Sequence, residues 1–153
     1  MKIKLFTDGG CRKNGIGGWG VVFVCGDVVK EVYGGTTNTT NNKMELTSVI
    51  EALKRVKRRD IPIKVYSDSA YIVNCFNDKW YVKWRRNGWI NSRGQPVENK
   101  DLWEELINLV ESFDSIEFVK VKGHSGVEFN ERADQLANQG IEELLKEVDD
   151  NVQ

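Results

Sequence analysis

The sequence predicts a single α/β layered domain, and three observations carry that prediction. Its N-terminal third alternates apolar and polar residues with the period of a strand, as in "KIKLF". From Asn42 to Arg58 the period changes to that of a helix, with Leu46, Val49, Ile50, Leu53 and Val56 on one stripe. Beyond Arg58 short β-branched runs and amphipathic stretches interchange, without a repeat, a linker or a low-complexity segment. Residues 2–8, about 19–25 and 28–35 read as three consecutive strands, the last two joined by a turn at Gly26 and Asp27. After the helix over 42–58, "IPIKVYS" at 61–67 forms a fourth strand. A helix follows near 69–77, then a basic, Trp-rich helical segment from about 80 to 87. Gly88 and "NSRGQP" make a loop, and Asn99 or Asp101 opens a helix through "LWEELINLVESF". "SIEFVKVKG" supplies a fifth strand and residues 128–147 a last helix, so the order is βββαβ, helices, βα.

Composition narrows the function classes. With 153 residues, 40% hydrophobic and 29% charged, the chain can bury a core without staples, and disordered or membrane classes are disfavoured. No apolar run reaches about 18 residues and "MKIKLFTD" alternates where a signal peptide would be continuously apolar, so the expected location is the cytoplasm. Cys11, Cys25 and Cys75 form no C-x-x-C pair, which signals neither a disulfide framework nor zinc, and all three are read as reduced. The net charge of −1 conceals two blocks: Lys79, Lys83, Arg85, Arg86 and Arg93 without an intervening acid, and a C-terminal stretch from Ile141 rich in Glu and Asp. The acidic stretch reads as a solvated helix end.

The run "TDGGCRKNGIGGWG" contains a literal G-x-G-x-x-G at Gly15, Gly17 and Gly20. A dinucleotide fingerprint requires a helix after the glycines, because the pyrophosphate rests on the helix N-terminus. Here "VVFVC" follows, a strand, so the loop is a wide hairpin whose glycines permit positive φ and close backbone approach.

Four acids stand where acids are costly. Glu45 shares a helical stripe with Val49, Ala52 and Val56, and Asp134 with Ala137, Ile141 and Leu145. Asp8 and Asp68 each follow a strand, where open α/β sheets place ligands; Asp68 would also serve as a helix N-cap. Singly each acid has a structural explanation. Together, with no basic residue in their own stripes, they suggest one oxygen-rich cluster for hard divalent cations, Mg²⁺ or Mn²⁺. Two such cations roughly 4 Å apart can serve an in-line phosphoryl displacement.

At these residues the chain resembles the type 1 ribonucleases H, which cut the RNA strand of RNA/DNA hybrids. The resemblance runs over residues 1–140 and rests on five ordered motifs: "FTDGGC", "TTNNKMEL", "YSDSAY", "VKGHSG" and "NERADQLA". It implies a ribonuclease H-like fold: a five-stranded mixed sheet, three antiparallel strands and then parallel ones, flanked by helices. One domain over 1–153 would carry a basic protrusion at about 78–95 and an acidic C-terminal tail at about 141–153. The family's two-metal carboxylates fall on Asp8, Glu45, Asp68 and Asp134, with Asp8 bridging two Mg²⁺ in the substrate complex and Mn²⁺ as a substitute. Its mobile-loop histidine falls on His124, implied to assist proton transfer or product release. In the family the glycine loop lies along the hybrid's minor groove and senses 2′-hydroxyls. Cys11, Asn14, Asn41 and Asn42 match positions implied to contact the nucleic acid, and Thr40 a position gripping a DNA phosphate. "KWYVKWRRNGW" resembles the basic protrusion of bacterial members, with Lys83, Arg85 and Arg86 as hybrid contacts and Trp80 either matching a DNA-contacting aromatic or packing the segment onto the domain. Trp84 instead reads as packing that segment onto the domain. The chain departs from the family in a glycine loop one residue shorter and without proline, and in Ala70 where a polar residue is common. The resemblance implies an endonuclease leaving 3′-hydroxyl and 5′-phosphate ends, acting as a monomer on RNA/DNA hybrids without a membrane.

Overall fold

The computed structural model describes residues 1–122 and 128–152. β1 (Ile3–Cys11), β2 (Gly17–Cys25) and β3 (Val28–Thr36) form an antiparallel meander. α1 (Asn41–Lys54) leads to β4 (Ile63–Ser67), then α2 (Ala70–Asn77), α3 (Trp80–Asn87), α4 (Lys100–Glu111), β5 (Ile116–Lys120) and α5 (Glu128–Val152). The sheet order is β3-β2-β1-β4-β5, with β1, β4 and β5 mutually parallel. This is the predicted five-stranded mixed sheet.

The strand periodicity divides the sheet into two faces. Leu5, Val21 and Val65 join the larger core, with Leu46, Val49 and Leu53 of α1 and Trp103, Leu106 and Ile107 of α4. Phe6 and Val22 face the other way and meet Ala133 and Leu136 of α5. Each fully buried side chain of this kind contributes about 1.5–3 kcal/mol.

Several boundaries differ from the sequence reading, each for a local reason. β1 runs on to Cys11, so Asp8 lies inside the strand, opposite Gly20 of β2. α1 ends at Lys54 because Arg55 takes up the capping role, its N–H meeting the Ala52 and Leu53 carbonyls. α5 continues beyond the expected 147 to Val152, so the acidic stretch is helical through that residue. Ile141 is buried, Glu142 pairs with Arg12 at 2.6 Å and Glu143 accepts from the Tyr33 hydroxyl at 2.7 Å, which anchors the start of that stretch to the sheet.

The glycines that resembled a nucleotide loop serve helix packing. Of Gly15, Gly17 and Gly20 only Gly15, in the hairpin at φ 80°, has a left-handed backbone. Gly18 and Gly20 are strand residues on which a Cβ would meet the carbonyl oxygens of Ala137 and Ala133 at 2.1 and 2.5 Å. Gly9 holds the same relation to α1, where a Cβ would come within 2.3 Å of the Met44 carbonyl carbon. Two helices therefore lie directly on bare backbone, and these two helices carry Glu45 and Asp134.

Candidate active site

The site opens where the sheet parts. β1 and β4 stay paired only as far as Phe6 and Tyr66, so beyond that point the edge of β1 at Asp8 is free of a parallel neighbour. Asp8 and Asp68 lie at this carboxyl-terminal end of the parallel strands, the position where α/β sheets place ligands. α1 brings Glu45 over the gap and α5 brings Asp134. Ser69, not Asp68, caps α2: its side-chain oxygen accepts from the Ile72 N–H at 3.3 Å. Asp68 is thereby left exposed and available to the cavity.

Asp8, Glu45 and Asp68 each offer a carboxylate oxygen within 4.8 Å of the other two. Asp134 lines the same cavity, of about 440 Å³, and lies within hydrogen-bonding reach of Asp8. Burial, then the Asp68 charge and the neighbouring Asp134 carboxylate, push the Asp8 carboxyl up to about 8. Burial, then the charges of Asp8 and Asp68, push Glu45 up to about 10. The backbone N–H of Gly9, beside both carboxylates, opposes both shifts. Glu45 Oε2 is nevertheless buried with no hydrogen-bond partner. A buried, unpartnered carboxylate oxygen beside two further acids is costly unless a proton or a cation completes it. The donor set is all oxygen, which fits Mg²⁺ or Mn²⁺.

The remaining predicted residues divide among three places. Cys11, Asn14, Thr40, Asn41 and Asn42 gather around the hairpin and the start of α1. The Cys11 N–H donates to Asn41 Oδ1, and the Ile16 N–H donates to Asn14 Oδ1 at 3.0 Å, so both amides use their oxygens to shape the loop. Thr40 caps α1, its hydroxyl oxygen accepting from the Lys43 N–H at 3.2 Å. Asn41 and Asn42 also line the carboxylate cavity.

Trp80 and Lys83 line a second groove of about 640 Å³, which Asn42 joins to the first. Trp84 is 6% exposed and meets Trp103 edge-on at 5.4 Å, so it is core, as its spacing suggested. Trp80 is half-buried against Tyr71, ring centroids 5.7 Å apart, and still borders the groove. Arg85 is exposed and paired with Glu111 of α4 through two hydrogen bonds of 2.7 and 2.8 Å. Arg86 is exposed without an ion-pair partner among the described residues. His124 lies outside the described residues.

Among the lining residues, sequence reasoning passed over Asn130, Glu131 and Lys122. Asn130 and Glu131 stand one helical turn before Asp134, a signal the i−4 and i−3 spacing carried. Lys122 also lines the cavity, and nothing in its local pattern distinguishes it.

Comparison with known proteins accords with this geometry. The family model described as RNase H matches residues 1–142. A ribonuclease H of Syntrophomonas wolfei is 49% identical over 144 residues, covering 94% of this chain and 98% of the relative. A type 1 RNase H carrying a type 2 active-site motif superposes with a TM-score of 0.78 at 32% identity, covering 92% of this chain and 72% of that one. A foamy viral protease-reverse transcriptase, solved in complex with an RNA/DNA hybrid, shares the fold at a TM-score of 0.78 and 20% identity, covering 90% of this chain and 20% of that one. The chain belongs to the RNase H family.

Proposed function

We propose that the chain hydrolyses the RNA strand of RNA/DNA hybrids endonucleolytically, using two divalent cations, Mg²⁺ or in substitution Mn²⁺, and leaving 3′-hydroxyl and 5′-phosphate ends. The observation that carries this reading is the convergence of carboxylate oxygens of Asp8, Glu45 and Asp68 within 4.8 Å of one another, together with the unpartnered Glu45 Oε2. Asp8, Glu45, Asp68 and Asp134 would hold the ions. When bound, the cations supply Lewis-acid polarisation of the scissile phosphate and a water acidic enough to attack it.

The chain's own residues account for binding and selectivity. Asn14 and Asn41 have their amide oxygens engaged, which orients their NH₂ groups as donors for sugar and phosphate oxygens. A hairpin read along the minor groove can discriminate by the 2′-hydroxyl, the group that distinguishes RNA from DNA. Lys83 and Trp80, in the groove joined to the cavity at Asn42, provide a charged and stacking path for the adjoining strand. His124 is assigned the proton-transfer or product-release role by resemblance. The chain acts as a monomer in the cytoplasm on this reading.

End-labelled RNA/DNA hybrid, RNA duplex and DNA duplex, each incubated with Mg²⁺, Mn²⁺ or EDTA, test it. Metal-dependent cutting confined to the RNA of the hybrid is expected, with products that accept ligation at their 5′-phosphates. Cleavage of DNA, or hybrid binding without cleavage in either metal, overturns it.

A further inference from the structure

We infer that Lys122 is a substrate contact, its ammonium pairing with a phosphate of the strand laid over the carboxylates. The inference rests on the hybrid-cleavage reading above and adds a residue to it. Among the described residues five carboxylates line the cavity, those of Asp8, Glu45, Asp68, Glu131 and Asp134, against one cation, Lys122. A lysine among so many acids would ordinarily pair with one of them. Lys122 is instead exposed and forms no ion pair among the described residues. Arg132 of α5, by contrast, is taken up by Glu31 at 2.6 Å.

Its base is fixed although its head is open. The Val121 N–H donates to the Ser67 carbonyl at 2.9 Å, extending the β4–β5 ladder by one residue. Lys122 therefore leaves the sheet directly beside the segment that carries Asp68. A polyanion crossing a cavity of carboxylates needs local counter-charge, and a compact ammonium on a flexible stem meets a phosphate oxygen without demanding one geometry. The protrusion's Lys83 lines the neighbouring groove, which meets the cavity at Asn42, whereas Lys122 lines the cavity itself, two residues beyond β5.

Fluorescence anisotropy of a labelled RNA/DNA hybrid over a series of salt concentrations in EDTA reads the contact without turnover. For Lys122→Ala we expect binding weakened several-fold at low salt and a salt slope smaller by about one, the loss of one phosphate neutralised. Lys122→Arg should restore both, and the melting temperature of each variant should match the parent chain. An unchanged slope in Lys122→Ala overturns the inference, as does an equal loss in Lys122→Arg. If the parent chain itself neither binds nor cleaves the hybrid, the functional reading fails; if it does both and Lys122→Ala matches it, the contact alone fails.

Discussion

Gly9→Ala isolates the packing that sets Glu45 beside Asp8. A Cβ at Gly9 would sit 2.3 Å from the Met44 carbonyl carbon, 2.4 Å from its oxygen and 2.6 Å from the Glu45 nitrogen, where ordinary contact begins at 3.4 Å. The obstructing atoms are backbone, so no side-chain rotation relieves them. The first turns of α1 must withdraw by the difference, 3.4 − 2.3 = 1.1 Å, and Glu45 withdraws with them. Overpacking of this kind costs about 1–3 kcal/mol, offset by about 0.4–1 kcal/mol from the stiffer unfolded chain. A net loss of about 1.3 kcal/mol lowers the melting temperature by about 3–5 °C for a domain of this size. Misplacing a catalytic group by about 1 Å costs on the order of 10²-fold in rate. Thermal melts in EDTA and single-turnover cleavage across a Mg²⁺ titration read both effects, with the ion midpoint shifting upward. Gly10→Ala is the stability control, because a Cβ there meets nothing within 4 Å. A Gly9→Ala chain with the parent's melting temperature and Mg²⁺ midpoint would refute the positioning role.

Three further outcomes follow from the same site. Asp8→Asn should abolish hybrid cleavage while raising the melting temperature in EDTA at neutral pH, since folding no longer has to take up a proton at a carboxyl that burial, Asp68 and Asp134 hold above its ordinary value; near-parental turnover would sink the carboxylate assignment. In metal-free protein, stability should fall as pH rises. The folded chain retains protons on Asp8 and Glu45, up to about 8 and about 10, that the unfolded chain releases above the ordinary values of 3.8 and 4.5. The stabilisation is therefore complete below those ordinary values and is lost as pH climbs through the raised ones. Mg²⁺ should accordingly stabilise more at pH 8 than at pH 5, and a flat melting profile in EDTA would contradict this. Lys83→Ala with Arg86→Ala should reduce the salt slope of hybrid binding by about 1.8, whereas Arg85→Ala should leave it near the parent value and cost about 0–1 kcal/mol through its exposed pair with Glu111. A full share of slope lost in Arg85→Ala would show that Glu111 releases it to the substrate.

The elements were legible because their signals are short-range. The alternation in "KIKLF" and the stripe from Leu46 to Val56 are set within one strand or one helix, and both appear in the structure with only their ends shifted. Glu45 was legible for the same reason: an acid on an apolar stripe contradicts its own neighbours. Ser69 shows the limit of local reading, since Asp68 and Ser69 are both good caps and only the folded chain shows which oxygen meets the Ile72 N–H.

The sequence by itself determined the order of strands and helices, the carboxylates that no local pairing could satisfy, and the exclusion of a nucleotide-binding helix after the glycines. Tertiary structure decided what those features do together. Gly18 and Gly20 admit the backbone of Ala137 and Ala133 from a helix more than a hundred residues away, and that approach brings Asp134 to Asp8. Arg85 meets Glu111 across 26 residues, a pairing that no local pattern announces. Lys122 lines an acidic cavity only because β5 lies beside β4. The physical reason is common to all three: propensity and periodicity act within a few residues, whereas close approach and charge act through space, and only the fold brings those distances together.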